Sequence, residues 1–414
     1  MNQKSRILAI IFLFLFLVTG CKPPATPEPT PSATPIPPTF TAIPPTPTIT
    51  PTATKVPFYV DAIVWTSDPM VPILIYHRFV PDSEENIPTT KIRFSAFKQQ
   101  LQNLYDNGFS LVPLMSWLNG TFVVPEGRRP LILTIDDFWS ADQVYIDDDG
   151  TPSPYSGVGI LWRFAQDHPD FGFAVAGFSN MGDKFFADTL LPSEQRFIRN
   201  SEDNSPIWRD KLSQAMVWSI ENGVEPYNHT YTHVQLDKTS PQDIQYQLAD
   251  NDRITRLFLT RVNRDDLIPK LGNIIALPFG VWPATYSGVQ VLKNYKNPEG
   301  VPVAAILEAY NLNEAQLTPS VFSSSFDRYK IQRITSSDAM IQYIMNHKDE
   351  IPSATACKVG PLDEEKAADV EVIKIAIANS IKAGSCPEGI YNINNVVFIA
   401  KQGTVELFSV QNGQ

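Results

Sequence analysis

Residues 131–138 read L-I-L-T-I-D-D-F, a stretch in which an apolar strand ends in two adjacent carboxylates. Five consecutive apolar or β-branched residues are typical of a strand that is covered on both faces. Similar runs elsewhere in the chain alternate with segments of helical periodicity, which is the rhythm of βα units around a parallel sheet or barrel. We therefore predict an α/β fold in which Asp136 and Asp137 lie at the carboxyl end of a strand, where such folds keep their chemistry.

The predicted elements continue this alternation along most of the chain. Buried strands are predicted at residues 71–76, 131–135, 171–178 and 273–277. Helices are predicted at residues 94–107, 209–222, 241–259 and 337–347. After residue 351 the rhythm breaks, and the sequence predicts an amphipathic helix at 363–383 and a hairpin of residues 395–400 and 404–410.

A second segment, N-H-T-Y-T-H at residues 228–233, carries two histidines. His229 and His233 are four residues apart, a spacing that directs both imidazoles to one point if they share a helical turn. Two histidines and one carboxylate leave coordination positions open, as a catalytic metal requires. Either segment alone has a commoner interpretation, since Asp-Asp after a strand is often a helix N-cap or a turn. Their combination in this order predicts a metal-dependent hydrolase.

The two segments resemble the first two motifs of the polysaccharide deacetylases of carbohydrate esterase family 4, the NodB homology domain. T-I-D-D-F resembles the family's T-F-D-D-G, and H-T-Y-T-H resembles its H-[ST]-x-x-H. The resemblance covers roughly residues 70 to 340 and implies a distorted (β/α)7-type barrel. The helix and hairpin predicted after residue 351 form a small C-terminal α+β appendage outside it. The resemblance also implies that Asp136 is the general base, and that Asp137, His229 and His233 bind one divalent metal ion, zinc or another first-row transition metal.

The third family motif, R-x-P-Y-G, corresponds to A-L-P-F-G at residues 276–280. Ala276 stands where many members have an arginine that pairs with the base, so we expect Asp136 to lack one source of pKa tuning. Phe138 replaces the glycine of D-D-G, and we expect it to change the turn or to crowd the metal.

Four residues beside these motifs are candidates for contact with a sugar. Pro278 and Phe279 belong to the third motif and are expected to line the groove. Trp139 and Trp282 flank the motifs and are expected to stack on sugar rings, with burial in the core as the alternative for both.

The segment V-P-I-L-I-Y-H-R-F at residues 71–79 resembles the opening strand of the circularly permuted poly-N-acetylglucosamine deacetylases. In that subgroup the catalytic acid comes from this N-terminal histidine. The chain shows no Leu-x-x-His motif near its C-terminal end, where ordinary members keep their acid. His77 is therefore the candidate acid, and a structural histidine at a strand end is the alternative.

The N-terminus predicts export and a lipid anchor. Lys4 and Arg6 precede an apolar run at residues 7–18, which fits a signal peptide over residues 1–20. The following V-T-G-C resembles a bacterial lipobox that makes Cys21 the lipidated first residue, with ordinary cleavage and a free thiol as the alternative. Residues 21–57 form a Pro/Thr-rich linker that cannot bury a core and is expected to be an extended spacer.

The two remaining cysteines, Cys357 and Cys386, are an even pair in an exported chain, which favours a disulfide over two separate thiols. Such a loop closure would stabilise the folded state by roughly 3 to 4 kcal/mol. The predicted organisation is then a catalytic domain at residues 58–350 and an appendage at residues 351–414.

The charge balance limits the partners. A net charge of -11 without a cluster of Lys and Arg argues against nucleic acid and favours a neutral or cationic glycan. The resemblance implies a polymer that contains N-acetylglucosamine, with an O-acetylated, xylan-like glycan as a variant. A glycan-binding pseudo-enzyme and a surface interaction protein that acts through the appendage are the alternatives. The sequence leaves the oligomeric state open.

Overall fold

The computed structural model describes residues 56–183, 206–309 and 317–409. The predicted signal segment, Cys21 and nearly all of the linker lie outside the described residues. Within those three ranges, no helix is both long enough and apolar enough to cross a membrane.

The elements follow one another in this order. The strands are β1 (Phe58–Trp65), β2 (Ile73–Tyr76), β3 (Arg78–Val80), β4 (Lys91–Arg93), β5 (Phe109–Leu111), β6 (Arg129–Phe138), β7 (Val175–Ser179), β8 (Val224–Asn228), β9 (Ile274–Ala276), β10 (Ala305–Leu307), β11 (Ile334–Thr335), β12 (Thr355–Leu362), β13 (Gly389–Ile393), β14 (Val396–Lys401) and β15 (Thr404–Leu407). The helices are α1 (Phe94–Asp106), α2 (Leu114–Leu118), α3 (Gly157–Asp167), α4 (Pro206–Glu221), α5 (Pro241–Arg261), α6 (Tyr286–Asn294), α7 (Asp338–Asn346) and α8 (Val370–Lys382). The predicted strands and helices are confirmed, and most ends shift by a few residues. The helix predicted from residue 363 begins only at Val370, and residue 410 of the predicted hairpin lies outside the described residues.

The central sheet has the strand order β10-β9-β8-β7-β6-β2-β11, and every neighbouring pair is parallel. The two outer strands approach each other, because an isolated parallel bridge joins Leu307 to Ile331 just before β11. The amide of Glu308 donates to the Ile331 carbonyl at 2.8 Å across this seam. The sheet therefore curls into a seven-stranded barrel, which confirms the predicted distorted (β/α)7 architecture.

Burial explains why these segments became barrel strands. All residues of β2 and β7 are buried, and β6 is buried over most of its length. A strand that is covered on both faces needs helices outside and side chains inside the barrel, which is the condition that βα units meet. The carboxyl ends of the strands form one rim, and the candidate catalytic residues follow those ends.

A second sheet, antiparallel, has the order β12-β1-β13-β14-β15 and packs against α8. The sequence analysis placed residue 58 onward in the catalytic domain, but β1 belongs to this sheet instead. The reason is visible in β1 itself: Val60, Ala62 and Val64 are buried while Asp61 is exposed. Such alternation is typical of an antiparallel strand with one face on the core.

The predicted disulfide between Cys357 and Cys386 is present. It joins β12 to the segment that follows α8, with 5.6 Å between the two Cα atoms. Both cysteines are buried in the small core between the second sheet and α8. The bond therefore ties the helix to the sheet that it covers.

Candidate metal and catalytic site

Three side chains from two strand ends converge at the rim of the barrel. Asp137, His229 and His233 each offer a ligand atom, and these atoms lie within 4.8 Å of one another. His233 Nε2 and an Asp137 oxygen are 3.7 Å apart. Two imidazole nitrogens and one carboxylate oxygen form a donor set that suits zinc and similar ions. The structure thus brings together the three residues that the sequence proposed as metal ligands.

The sequence spacing suggested that the two histidines share a helical turn, but they do not. They lie in the loop after β8, where Thr230 and His233 have positive φ angles of 63° and 51°. The Asn228 side chain holds this loop by accepting a hydrogen bond from the Thr230 amide at 2.9 Å. Such backbone angles are costly for residues other than glycine and are concentrated at functional sites. The loop, rather than a helix, therefore sets the distance between the two imidazoles.

A β-bulge explains how two adjacent aspartates serve the same rim. Ile135 pairs with Gly177 and Phe138 pairs with Ser179, so β6 has one residue more than β7 between these two pairs. Asp137 lies in the bulge with φ of 52°. In a regular strand, neighbouring side chains point to opposite faces, whereas a bulge re-aims them. Asp136 consequently stays inside the barrel while Asp137 joins the metal ligands, held by a 2.8 Å bond from Asn180 Nδ2.

His229 is fixed in the form that a metal requires. Its Nδ1–H donates to the Ala276 carbonyl at 2.9 Å, which leaves the Nε2 lone pair for the metal. Burial lowers the pKa of His229 to about 4, and the nearby charge of Asp136 offsets this effect only in part. The imidazole is therefore neutral at physiological pH, so the geometry and the protonation state both fit a bound cation.

Asp136 forms a buried ion pair with Arg333, a residue that the sequence analysis missed. Arg333 donates through both terminal nitrogens to the two carboxylate oxygens, at 2.6 and 2.9 Å. Neither side chain has more than 3% of its surface exposed. Burial alone would raise the pKa of Asp136, but the charge and hydrogen bonds of Arg333 outweigh it and hold the pKa well below its usual range.

This pair corrects the expectation drawn from Ala276. The arginine that the third motif lacks is replaced in space by Arg333, which is supplied by the segment just before β11. The signal in the sequence was a single arginine between the buried residues Ile331 and Ile334. A cation that is buried needs a partner, because an unpaired charge there would be very costly.

Gln143 is a second residue that the sequence analysis missed. Its Nε2 donates to the carbonyls of His77 at 2.6 Å and of Asp136 at 2.8 Å, and its side chain has no exposed surface. The β2–β6 ladder ends at the pair Tyr76 and Ile135, one residue before both of these carbonyls. The Gln143 amide therefore joins the two strand ends beyond their own hydrogen bonds and fixes the spacing between the candidate acid and the candidate base.

Phe138 does not crowd the metal ligands. Its side chain is completely buried and packs over Gly177, where an added Cβ would lie 2.3 Å from the phenyl ring. Trp139 is also completely buried and stacks against Phe138 with 4.4 Å between ring centroids. The interpretation of Trp139 as a sugar platform is therefore wrong, since a sugar cannot reach it.

The other candidate contacts divide by exposure. Phe279 is 57% exposed and its ring meets His233 edge-on at 4.5 Å, although its φ of 58° is unfavourable for a phenylalanine. Pro278 is buried, so its contribution is to shape the loop. Trp282 is partly buried, and its indole N–H donates to the Glu308 carboxylate. Phe279 thus remains the aromatic surface directly beside the metal ligands.

His77 follows β2 at the same rim and is partly exposed. It lies close enough to Asp136 for its charge to act on the pKa of that carboxylate. The next residue, Arg78, is held by Asp142 through a forked ion pair with a shortest distance of 2.6 Å. The structure therefore places His77 at the same rim as the candidate base, and Gln143 holds the His77 carbonyl in position.

Comparisons with known proteins found similar solved structures at low sequence identity. No protein-family model matches the chain, and no curated protein matches it. Similar solved structures include a Streptococcus pyogenes deacetylase, PplD, in complex with acetate (15% identity, TM-score 0.43, 68% of this chain and 98% of that one). IcaB from Ammonifex degensii has 15% identity and a TM-score of 0.40, with 67% and 96% of the two chains covered. A de-N-acetylase from Aggregatibacter actinomycetemcomitans has 14% identity and a TM-score of 0.40, with 66% and 98% covered.

We predict that Arg333→Met lowers the free energy of unfolding by about 3 to 5 kcal/mol, because it leaves Asp136 buried without a counter-charge. Lys358→Met, at a lysine whose ion pair with Asp61 is exposed to solvent on both sides, is the control and should change it by less than about 0.5 kcal/mol. Urea denaturation measures the free energy of unfolding of both variants. The double variant Asp136→Leu with Arg333→Met should recover most of the loss, and simple addition of the two single effects would contradict the pairing.

We also predict a pH-dependent loss of stability in the metal-free protein. The unfolded chain protonates His229 near its ordinary pKa of about 6.5, whereas the folded chain keeps it neutral down to about pH 4. The unfolded state therefore binds more protons in this window, and the contribution of His229 falls by on the order of 3 kcal/mol as pH drops through it.

The measurement compares the unfolding free energies of the wild type and His229→Gln at pH 4 to 7 in the presence of a chelator. Glutamine does not titrate, so the difference between the two proteins should shift in favour of the variant as the pH falls. A difference that is constant over this range would show that His229 is not buried in its neutral form.

Proposed function

We propose that the chain is a metal-dependent hydrolase that removes acetyl groups from a polysaccharide. One observation carries this proposal: Asp137, His229 and His233 present their ligand atoms to one point, and a second carboxylate, Asp136, lies beside them without joining the group. An Asp136 oxygen is 3.8 Å from His229 Nε2, and the same carboxylate is held by Arg333. A spare, oriented carboxylate next to an open metal site is the arrangement that hydrolysis of an amide or ester needs.

The charge state of Asp136 supports a metal-dependent reaction. A carboxylate whose pKa is held far below its usual range is a weak base towards ordinary water. A divalent metal bound by the three ligands would polarise the acetyl carbonyl and make a water molecule much more acidic. Asp136 would accept a proton from the attacking water, and Arg333 holds the carboxylate in place for that role.

His77 supplies the proton that the leaving group needs. Amine leaving groups depart as neutral amines, so a positioned acid is required when the acetyl group is bound through nitrogen. His77 stands at the same rim as Asp136, and Gln143 fixes the spacing of their backbones. The two residues thus act at different stages, with Asp136 accepting the first proton and His77 delivering the second.

The substrate is most consistent with a polymer of N-acetylglucosamine. Phe279 offers an exposed aromatic ring next to His233, and such rings stack on the apolar faces of sugars. The acidic net charge suits a neutral polymer whose product is cationic. An O-acetylated, xylan-like glycan is the variant, and it would depend less on His77 because alcohols leave more readily than amines.

Two departures from the family motifs, Ala276 and Phe138, favoured a pseudo-enzyme, but other residues compensate for both. Arg333 provides the charge that Ala276 cannot, and Gly177 leaves the space that Phe138 fills. Neither change disturbs the three metal ligands. These observations favour a working hydrolase over a glycan-binding relative without activity.

The site of action is the outer surface of a bacterial membrane. The lipobox-like V-T-G-C at residues 18–21 supports lipidation of Cys21, which would attach the chain to the bilayer. A disulfide in the second sheet fits an oxidising compartment outside the cytoplasm.

We predict that the purified protein releases acetate from N-acetylglucosamine oligomers, that chelation abolishes the release, and that added zinc restores it. Asp136→Asn should lower kcat by about 10²- to 10⁴-fold, since it removes the proton acceptor. Asp148→Asn, at a fully exposed aspartate far along the next loop, is the matched control and should leave kcat unchanged. Full activity of the chelated protein would contradict the proposal.

A separate prediction concerns His77. His77→Ala should slow hydrolysis of an N-acetyl amide strongly, but hydrolysis of an activated acetyl ester only slightly, because a good leaving group needs no proton. Rates on the two substrates, measured with the same metal-loaded preparation, give the ratio. Equal loss on both substrates, or full activity on the amide, would remove His77 from the role of acid.

A further inference from the structure

A cavity of about 360 Å³ opens beside His77, between the ends of β2 and β11 and the segment that leads into α1. A second cavity of about 530 Å³ lies between α1 and α7. Ala96, Gln100 and Asp338 line both cavities, so the two spaces adjoin. We call them together the α1–α7 groove. Each volume lies within the range of ordinary small-molecule sites.

The groove is lined by neutral polar groups. Its α1–α7 part presents five amide side chains, Gln99, Gln100, Asn103, Asn107 and Gln342. Threonine and serine hydroxyl groups line the part beside His77. Amides and hydroxyls both donate and accept hydrogen bonds, which suits the hydroxyl and acetamido groups of an uncharged sugar.

The cations near His77 are already engaged. Lys91 forms an ion pair with Glu84 at 2.7 Å, and Arg93 donates to the Glu84 carbonyl at 2.8 Å. The α1–α7 part contains a single carboxylate, Asp338, among its lining residues. The groove is therefore close to electrically neutral, which disfavours a highly charged polymer.

The wall shared by the two cavities is rigid. Gln100 is buried and accepts a hydrogen bond from the Tyr76 hydroxyl at 2.9 Å. Its amide nitrogen donates to the Ser336 carbonyl and to Asp338, both at 2.9 Å. These bonds join β2, α1 and the start of α7, so the groove exists before a ligand arrives and loses little entropy on binding.

We propose that the α1–α7 groove binds the neutral, acetylated glycan chain as it extends from the catalytic rim past His77. This inference rests on the proposed function, since it takes the acetylated polymer as the substrate. The 13 residues of α1 rise about 20 Å at 1.5 Å each, which gives the groove room for several sugar units. It predicts that binding improves with the length of the oligomer.

The test uses two groove variants and one control. Asn103→Ala with Gln342→Ala removes two exposed amides, and Ala96→Trp fills the junction between the cavities. Gln102→Ala is the matched control, because Gln102 precedes Asn103 on α1 but lines neither cavity. Calorimetry measures the Kd of each chelated protein for the monomer and the hexamer of N-acetylglucosamine, and the metal-loaded proteins give KM and kcat.

We expect the control to bind the hexamer as the wild type does. Both groove variants should weaken hexamer binding roughly tenfold, without a change in monomer binding or in kcat on a small acetyl ester. An unchanged Kd for the hexamer in both variants would overturn the inference, even if acetate is released. Weakened hexamer binding in a protein that releases no acetate with metal would support the groove and overturn the proposed function, so the two failures are distinguishable.

Discussion

The buried ion pair between Asp136 and Arg333 is the interaction on which the site depends. A carboxylate inside an apolar barrel would ordinarily be protonated, because desolvation penalises its charge. Arg333 reverses that outcome with two hydrogen bonds. The same guanidinium also donates to Thr134 on β6 and to the Glu308 carbonyl after β10, so it spans the barrel from the seam to the catalytic strand. The Arg333 side chain therefore keeps the candidate base Asp136 ionised and also joins the strands that close the barrel.

The backbone then separates two adjacent aspartates into different roles. Because of the bulge in β6, the Asp136 side chain contacts Arg333, whereas the Asp137 side chain lies beside the two histidines. Gln143 joins the ends of β2 and β6 beyond their ladder, and the Asn228 side chain supports the loop of His229 and His233. The candidate catalytic and metal-binding residues therefore lie on irregular backbone, and buried amides hold that backbone in place.

The parts of this site that were predictable share a local signal. The strand that ends in Asp136 and Asp137, the pair His229 and His233, and the disulfide between two late cysteines were all visible as patterns within short segments or by cysteine counting. Arg333 was not, because it lies 197 residues from Asp136 and only the barrel closure brings them together. The helical interpretation of the histidine spacing failed because positive φ angles, which a spacing does not reveal, bring the imidazoles together in a loop. The prediction that Trp139 stacks on a sugar failed for a similar reason. The bulge decides which side of the strand Trp139 faces, and in the structure this side chain is buried.

The central claim is that Asp137, His229 and His233 bind one cation and leave Asp136 outside the coordination sphere. X-ray absorption spectroscopy of the zinc-loaded protein, at a measured stoichiometry, tests it most directly. The account predicts one ion per chain with two imidazole nitrogens at about 2.0 to 2.1 Å and a carboxylate oxygen at about 2.0 to 2.2 Å. Failure to bind zinc, or a spectrum without histidine ligands, would contradict it.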